Sequence, residues 1–166
     1  MEQELKVSKS ILVDVPAGRA FELFLDQASW WPLATHHMAE QAAETVVLEP
    51  FVGGRWYERA HDGTETDWGR VLAFEPPHRL LLSWQMSSDW AHDPDPAGAS
   101  EIEVSFVPET RNRTRVVYEH RHLERYGDEA EAMRAALERP NAAEATLRAF
   151  ADRVAAAKTT RRRKAA

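Results

Sequence analysis

The chain has 166 residues, 43% of them apolar and 29% charged, the balance of one globular domain with a core large enough to fold without staples. It has no cysteine, which excludes disulfides, thiolate metal sites and cysteine nucleophiles. The net charge is −6, yet Lys158, Arg161, Arg162, Arg163 and Lys164 sit together at the end without an acid, so the remaining body is more acidic still and repels nucleic acid and anionic membrane.

No apolar run approaches the roughly 20 residues that a membrane span needs. The opening "MEQELKVSKS" is polar and lacks the plan of a signal peptide, so a cytoplasmic location is expected.

Taken in chain order, Val7, Ile11, Val13 and Val15 alternate with Ser8, Ser10, Leu12 and Asp14, which predicts a half-buried first strand. In "PAGRAFELFLD", Phe21, Phe24 and Leu25 recur at helical spacing behind an early proline, so a short helix follows. "QASWWPLATHHM" closes that helix in a proline-bounded aromatic segment. "ETVVLEP" is a short strand. "GGRWYERA" is another, with Trp56, Glu58 and Ala60 on one side and Arg55, Tyr57 and Arg59 on the other. Asp62-Gly63 predicts a tight turn into "ETDWGRVLAFE". After Pro76-Pro77, "HRLLLSWQMS" faces Leu80, Leu82, Trp84 and Met86 one way.

A polar, proline-rich loop, "SDWAHDPDPAGAS", leads into two more strands. "SEIEVSFVPE" turns Ile102, Val104 and Phe106 inward, and "RTRVVYEHRH" does the same with Val116, Tyr118 and His120. Met133 and Leu137 mark a helical piece stopped by Pro140. Asn141 with Glu144 three residues on resembles a capping box for the last helix, whose apolar stripe is Leu147, Phe150, Ala151 and Val154. Consecutive strands joined by short turns imply an antiparallel sheet, and the last helix is the obvious cover for its apolar face. A curved sheet wrapped round one helix leaves a gap of the kind that holds small molecules. Residues 1–157 form one expected domain, and 158–166 a basic, disordered tail.

"ILVDVPAGRAFELFLD", "GGRWYERAHDGTETDWGRVLAFEPPHRLLLSW" and "EIEVSFVPETRNRTRVVYEHRHLE" resemble the SRPBCC superfamily, also called START-like or birch-pollen-allergen-like. The spacing of Gly53-Gly54-x-Trp56, Asp62-Gly63, Gly69-x-Val71, Pro76-Pro77-x-Arg79-Leu80 and Trp84 is similar to the branch named after activators of the heat-shock protein 90 ATPase. The resemblance runs from about Lys6 to Phe150. It implies an α+β helix-grip fold: a seven-stranded curved antiparallel sheet around a long C-terminal helix, two short helices after the first strand, and a deep cavity. It carries no shared catalytic signature.

Gly53-Gly54 lacks the spacing of a phosphate loop and precedes a strand rather than a helix, so it is read as flexible backbone at the start of a strand. The cavity is expected to be lined by Trp30, Trp31, His37, Trp56, Glu58, Trp68, Trp84, Met86, Phe106, Tyr118, His120 and Phe150. Large aromatic walls favour planar or apolar ligands, although tryptophan can equally fill the core. Glu58 and His120, if they turn inward between aromatics, are the candidates for acid–base work, with His37 a third for an enzyme. His36-His37 beside Trp30-Trp31 would cover the mouth as a lid. Trp90 falls in the loop. His120 with His122, and Asp93 with Asp95, have pairwise ligand spacing but no third partner, so neither a metal nor any other cofactor is expected. No "GxSxG" elbow or Ser-His-Asp set is present.

Three functions follow. The favoured one is a non-enzymatic protein that holds a small hydrophobic or aromatic molecule. An enzyme of cyclase, dehydratase or hydrolase type on an aromatic or polyketide-like substrate is the alternative. The third, implied by the branch name, is chaperone-linked or stress-response interaction through the surface. The expected partner is the small molecule, with the chain as monomer or homodimer, no nucleic acid and no membrane; a chaperone contact belongs to the third function alone.

Overall fold

A computed structural model describes residues 5–36, 42–87, 89 and 91–165, with the backbone alone at 96 and 159–165. The strands are β1 Val7–Val13, β2 Ala43–Leu48, β3 Arg55–Ala60, β4 Glu65–Glu75, β5 Arg79–Trp84, β6 Ser100–Thr110 and β7 Arg113–Arg121. The helices are α1 Ala17–Leu25, α2 Ala130–Glu138 and α3 Ala143–Ala165. Short 3₁₀ turns cover Gln27–Ser29, Pro96–Gly98 and Leu123–Glu129. The sheet order is β1-β7-β6-β5-β4-β3-β2, and every neighbouring pair is antiparallel. The helix-grip architecture is therefore present. The second short helix after β1 is, among the described residues, the single 3₁₀ turn Gln27–Ser29.

Alternation decides which face each strand buries. Ser100, Ile102, Val104 and Phe106 of β6 and Thr114, Val116, Tyr118 and His120 of β7 are all buried, each at the expected parity. Strand β3 departs from it, because Tyr57 on the outer face is buried along with Trp56 and Glu58. The Arg55 guanidinium stacks 3.9 Å from the Tyr57 ring centre and shields it.

Two glycines shape the β3–β4 hairpin. The Gly63 N–H donates to the Ala60 carbonyl, and Gly63 has φ +90°, which closes the turn onto Thr64 at no steric cost. Further along, Gly69 lies so close to β5 that a Cβ there would fall 1.8 Å from the Ser83 carbonyl oxygen. Register shifts on both sides of it, between Trp56 and Tyr57 and between Val71 and Ala73, let β4 bend from β3 to β5.

Helix α1 buries Ala20, Phe21, Leu23 and Phe24. Its terminal carbonyls are capped by Trp30, whose indole N–H donates to Leu23 at 3.0 Å. Helix α3 buries Ala143, Leu147, Phe150 and Val154 over the sheet. Glu144 lies 3.8 Å from Arg148, along the helix rather than back toward Asn141 as a capping box requires. The backbone of α3 continues through the basic segment to Ala165, where composition suggested a disordered tail. Alanine, lysine and arginine are good helix formers, and cations suit a helix C-terminus. Among the described residues no helix is long and apolar enough to cross a membrane.

Candidate functional site

Helix α3 does not seal the sheet along its whole length. A cavity of about 390 Å³ remains where α2 hands over to α3, within the usual range of small-molecule pockets. Its floor is the sheet: Trp84 of β5, Ile102 of β6, and Tyr118 and His120 of β7. Ala136 and Leu137 of α2 form one wall, and Ala143 and Thr146 of α3 another. The mouth is bordered by the α2–α3 turn, with Arg139 and Asn141, and by the strap from Trp31 to His36.

Cross-strand pairing aligns the floor. Ile102 faces His120 and Val104 faces Tyr118 across β6 and β7. His120 is only 2% exposed, and burial lowers its pKa to about 3, so its imidazole is neutral. Nε2 lies 2.7 Å from Ser100 Oγ. The ring sits edge-on to Trp84, with centres 5.9 Å apart. Burial also pushes the Tyr118 phenol up, so it stays protonated. Among the described residues neither the Tyr118 hydroxyl nor His120 Nδ1 has a hydrogen-bond partner. Behind this floor the Tyr126 hydroxyl donates to the Met86 carbonyl at 2.7 Å, and burial raises its pKa too.

The strap is tied across the mouth. Trp31 Nε1 donates to the His36 carbonyl at 2.9 Å, and His36 Nε2 donates to the Asn141 carbonyl at 2.9 Å. The other His36 nitrogen lies 2.7 Å from Thr35 Oγ1. His36 therefore lies at the rim of the cavity. His37 and Trp90 lie outside the described residues.

Of the residues expected to line the cavity, Trp31, Trp84, Tyr118 and His120 do so. Trp30, Trp56, Glu58, Trp68, Met86, Phe106 and Phe150 do not. They fill the core instead. Trp56 and Trp68 are edge-on at 5.3 Å, and Trp31 caps them at 6.0 and 5.1 Å. Phe24 links Phe106, Phe150 and Trp30. Trp56 donates to Gln27 Oε1 at 2.7 Å, and Trp68 donates to Glu58 Oε1 at 3.0 Å. Glu58 is 0% exposed, accepts from Trp68 in the core and does not border the cavity. For Trp56, Glu58, Trp68 and Phe106, strand parity sets the face but not the position along the grip.

Thr146, Arg139 and Asn141 escaped the sequence reading as cavity residues. Thr146 had a signal, being a polar position on the buried side of α3. Arg139 and Asn141 lie in a turn without periodicity. His122 adopts a left-handed backbone and turns to Glu124, 3.2 Å away, so it does not join His120. Among the described residues no three His, Asp or Glu side chains converge as metal ligands.

The family described as activator of Hsp90 ATPase homolog 1-like protein matches residues 14–149. The chain belongs to this family. Among solved structures, this family member is similar to the anthrahydroquino-γ-pyrone synthase Txn09, at 41% identity and a TM-score of 0.62, over 92% of this chain and 99% of that one. It is also similar to CalC from Micromonospora echinospora, a self-sacrificing resistance protein, at 27% identity and a TM-score of 0.63, over 90% and 93% of the two chains. An AHSA1-like protein from Aeromonas hydrophila shares the fold at 19% identity and a TM-score of 0.60, over 93% and 94%. No curated protein matches the sequence.

Proposed function

We propose that this chain takes a flat, polycyclic aromatic molecule of polyketide type into the cavity and closes an oxygen-containing ring on it. The observation that carries the reading is the cavity floor. It pairs an aromatic and aliphatic surface, Trp84 and Ile102, with two buried polar groups free to meet ligand oxygens, Tyr118 and His120. The likeness over nearly the whole chain to a synthase named for an anthrahydroquino-γ-pyrone supports the substrate class.

A fused γ-pyrone ring forms when an aryl hydroxyl adds to the far carbonyl of a neighbouring 1,3-diketone chain. The aryl oxygen bonds to the carbonyl carbon, the carbonyl π bond breaks, and the aryl proton ends on the former carbonyl oxygen. That hydroxyl leaves as water together with a hydrogen from the adjacent carbon. No oxidant or reductant is consumed. Charge develops on the carbonyl oxygen during addition, and hydrogen bonds aimed at that point lower the barrier. Ser100 Oγ is 2.7 Å from Nε2 of the neutral His120, and the tautomer in which Ser100 donates leaves the ring proton on Nδ1 as a donor for a ligand oxygen. Tyr118, kept protonated by burial, is a second donor. Both act as neutral electrophiles rather than as bases.

Binding without turnover is the second reading. The likeness to a resistance protein favours it, as does the low basicity of His120, which makes it a poor proton acceptor. The two readings separate on incubating the protein with an anthraquinone that carries an ortho-hydroxyl and a 1,3-diketone side chain. The ring-closing reading expects loss of one water from the substrate, by mass spectrometry, faster than in buffer. Tyr118→Phe and His120→Gln then slow it by about tenfold or more while retaining binding. Binding with no acceleration leaves the second reading, and absence of binding defeats both.

A further inference from the structure

The two ends of the cavity differ. The inner end, at Trp84, Ile102, Tyr118 and His120, is buried and carries no formal charge. The outer end is exposed or half-buried and polar, formed by Thr35, His36, Arg139 and Asn141.

Among the described residues that border the cavity there is no aspartate or glutamate, and Arg139 is the one lysine or arginine. This occurs in a chain with 27 acidic and 21 basic side chains. The neighbouring acid, Glu138, is taken by Lys9 at 2.8 Å. The Arg139 guanidinium makes no ion pair or hydrogen bond with any described residue. Its backbone ends α2 in an extended conformation, just before Pro140. Ala143 and Thr146, in the first turn of α3, form the buried wall beside it. A ligand seated with its apolar rings on Trp84 and Ile102 would bring its outer end to Arg139.

We infer that the cavity selects an aromatic ligand bearing a carboxylate at its outer end, and that Arg139 is the residue that recognises it. This rests on the reading of the cavity as a site for flat aromatics. A carboxylate matches the planar fork of a guanidinium, whereas the corresponding amide offers neither the charge nor two equivalent acceptors. An apolar body with an acidic end also fixes which way round the rings enter, and so which oxygens meet Tyr118 and His120.

The test is titration calorimetry of the full chain with two probes, anthraquinone-2-carboxylate and anthraquinone-2-carboxamide. At low salt the wild type is expected to bind the carboxylate about fivefold more tightly, the scale of one solvent-shared ion pair. High salt should shrink that advantage. Arg139→Gln should bind both probes alike, with the affinity the wild type shows for the amide, and Arg139→Lys should keep part of the preference. Arg139 is exposed, so these variants leave the core intact. Equal affinities in the wild type, or a preference that survives Arg139→Gln, overturn the inference and leave the aromatic site standing. If neither probe binds the wild type, the aromatic site falls and this inference with it.

Discussion

Ser100 Oγ lies 2.7 Å from Nε2 of His120, and both side chains are buried. Ser100 opens β6, two residues before the Ile102 that faces His120 across the sheet. The contact fixes the imidazole at the cavity floor, and its burial has a consequence for stability.

His120 has a pKa of about 3 in the fold, against 6.5 for an unperturbed histidine. Below about pH 6.5 the unfolded chain therefore binds one proton more than the folded chain, and acid favours unfolding. This single group makes stability fall by about 1.4 kcal/mol per pH unit as the pH drops from 6.5 toward 3. Denaturant unfolding at pH 7, 6 and 5 checks it. His120→Gln should show a shallower decline over that range, and an unchanged slope contradicts the assignment.

Gly69→Ala and Gly18→Ala should have opposite signs. A Cβ at Gly69 meets the Ser83 carbonyl in the backbone of β5, whereas nothing lies within 4 Å of one at Gly18 in α1. The first substitution is expected to cost about 3 kcal/mol or more. The second should add about 0.5 kcal/mol by lowering the entropy of the unfolded chain. Thermal melts of the two variants decide the matter.

Trp68→Phe and Trp84→Phe should separate core filling from ligand contact. Trp68 holds Glu58 in the core and does not border the cavity. Its replacement is expected to cost about 2–3 kcal/mol of stability through lost packing and one hydrogen bond. Affinity for a flat aromatic should not change. Trp84→Phe removes part of the floor and should weaken that affinity several-fold, roughly 1 kcal/mol. Unfolding curves read the first effect and calorimetry the second.

His36→Ala should loosen the mouth. It removes the bond to the Asn141 carbonyl that ties the strap to the α2–α3 turn. Stopped-flow binding of a flat aromatic should show association and dissociation both faster, by roughly threefold or more, with a smaller change in Kd. Unchanged rates would mean that the strap does not control access.

The strands were legible in the sequence because alternation and turn chemistry agree along most of the chain. Ile102, Tyr118 and His120 took their inward places from parity alone. The division of the tryptophans was not legible. Trp56 and Trp84 both face inward, but only Trp84 reaches the cavity, because the strap carries Trp31 onto Trp56 and Trp68. That closure joins residues far apart in sequence through a segment without periodicity. Arg139 and Asn141 were obscure for the same reason. Their position depends on where α2 stops and how α3 departs, and both are set by packing against the sheet rather than by local pattern.

The most direct measurement is titration of 1-hydroxyanthraquinone into the wild type and into Ala136→Trp, followed by calorimetry. Ala136 is a half-buried position on α2 whose side chain borders the cavity, so an indole there fills it without entering the core. One-to-one binding by the wild type is expected, with binding weakened at least about tenfold in a folded Ala136→Trp chain. Binding that persists in the filled variant, or no binding by the wild type, would contradict that expectation.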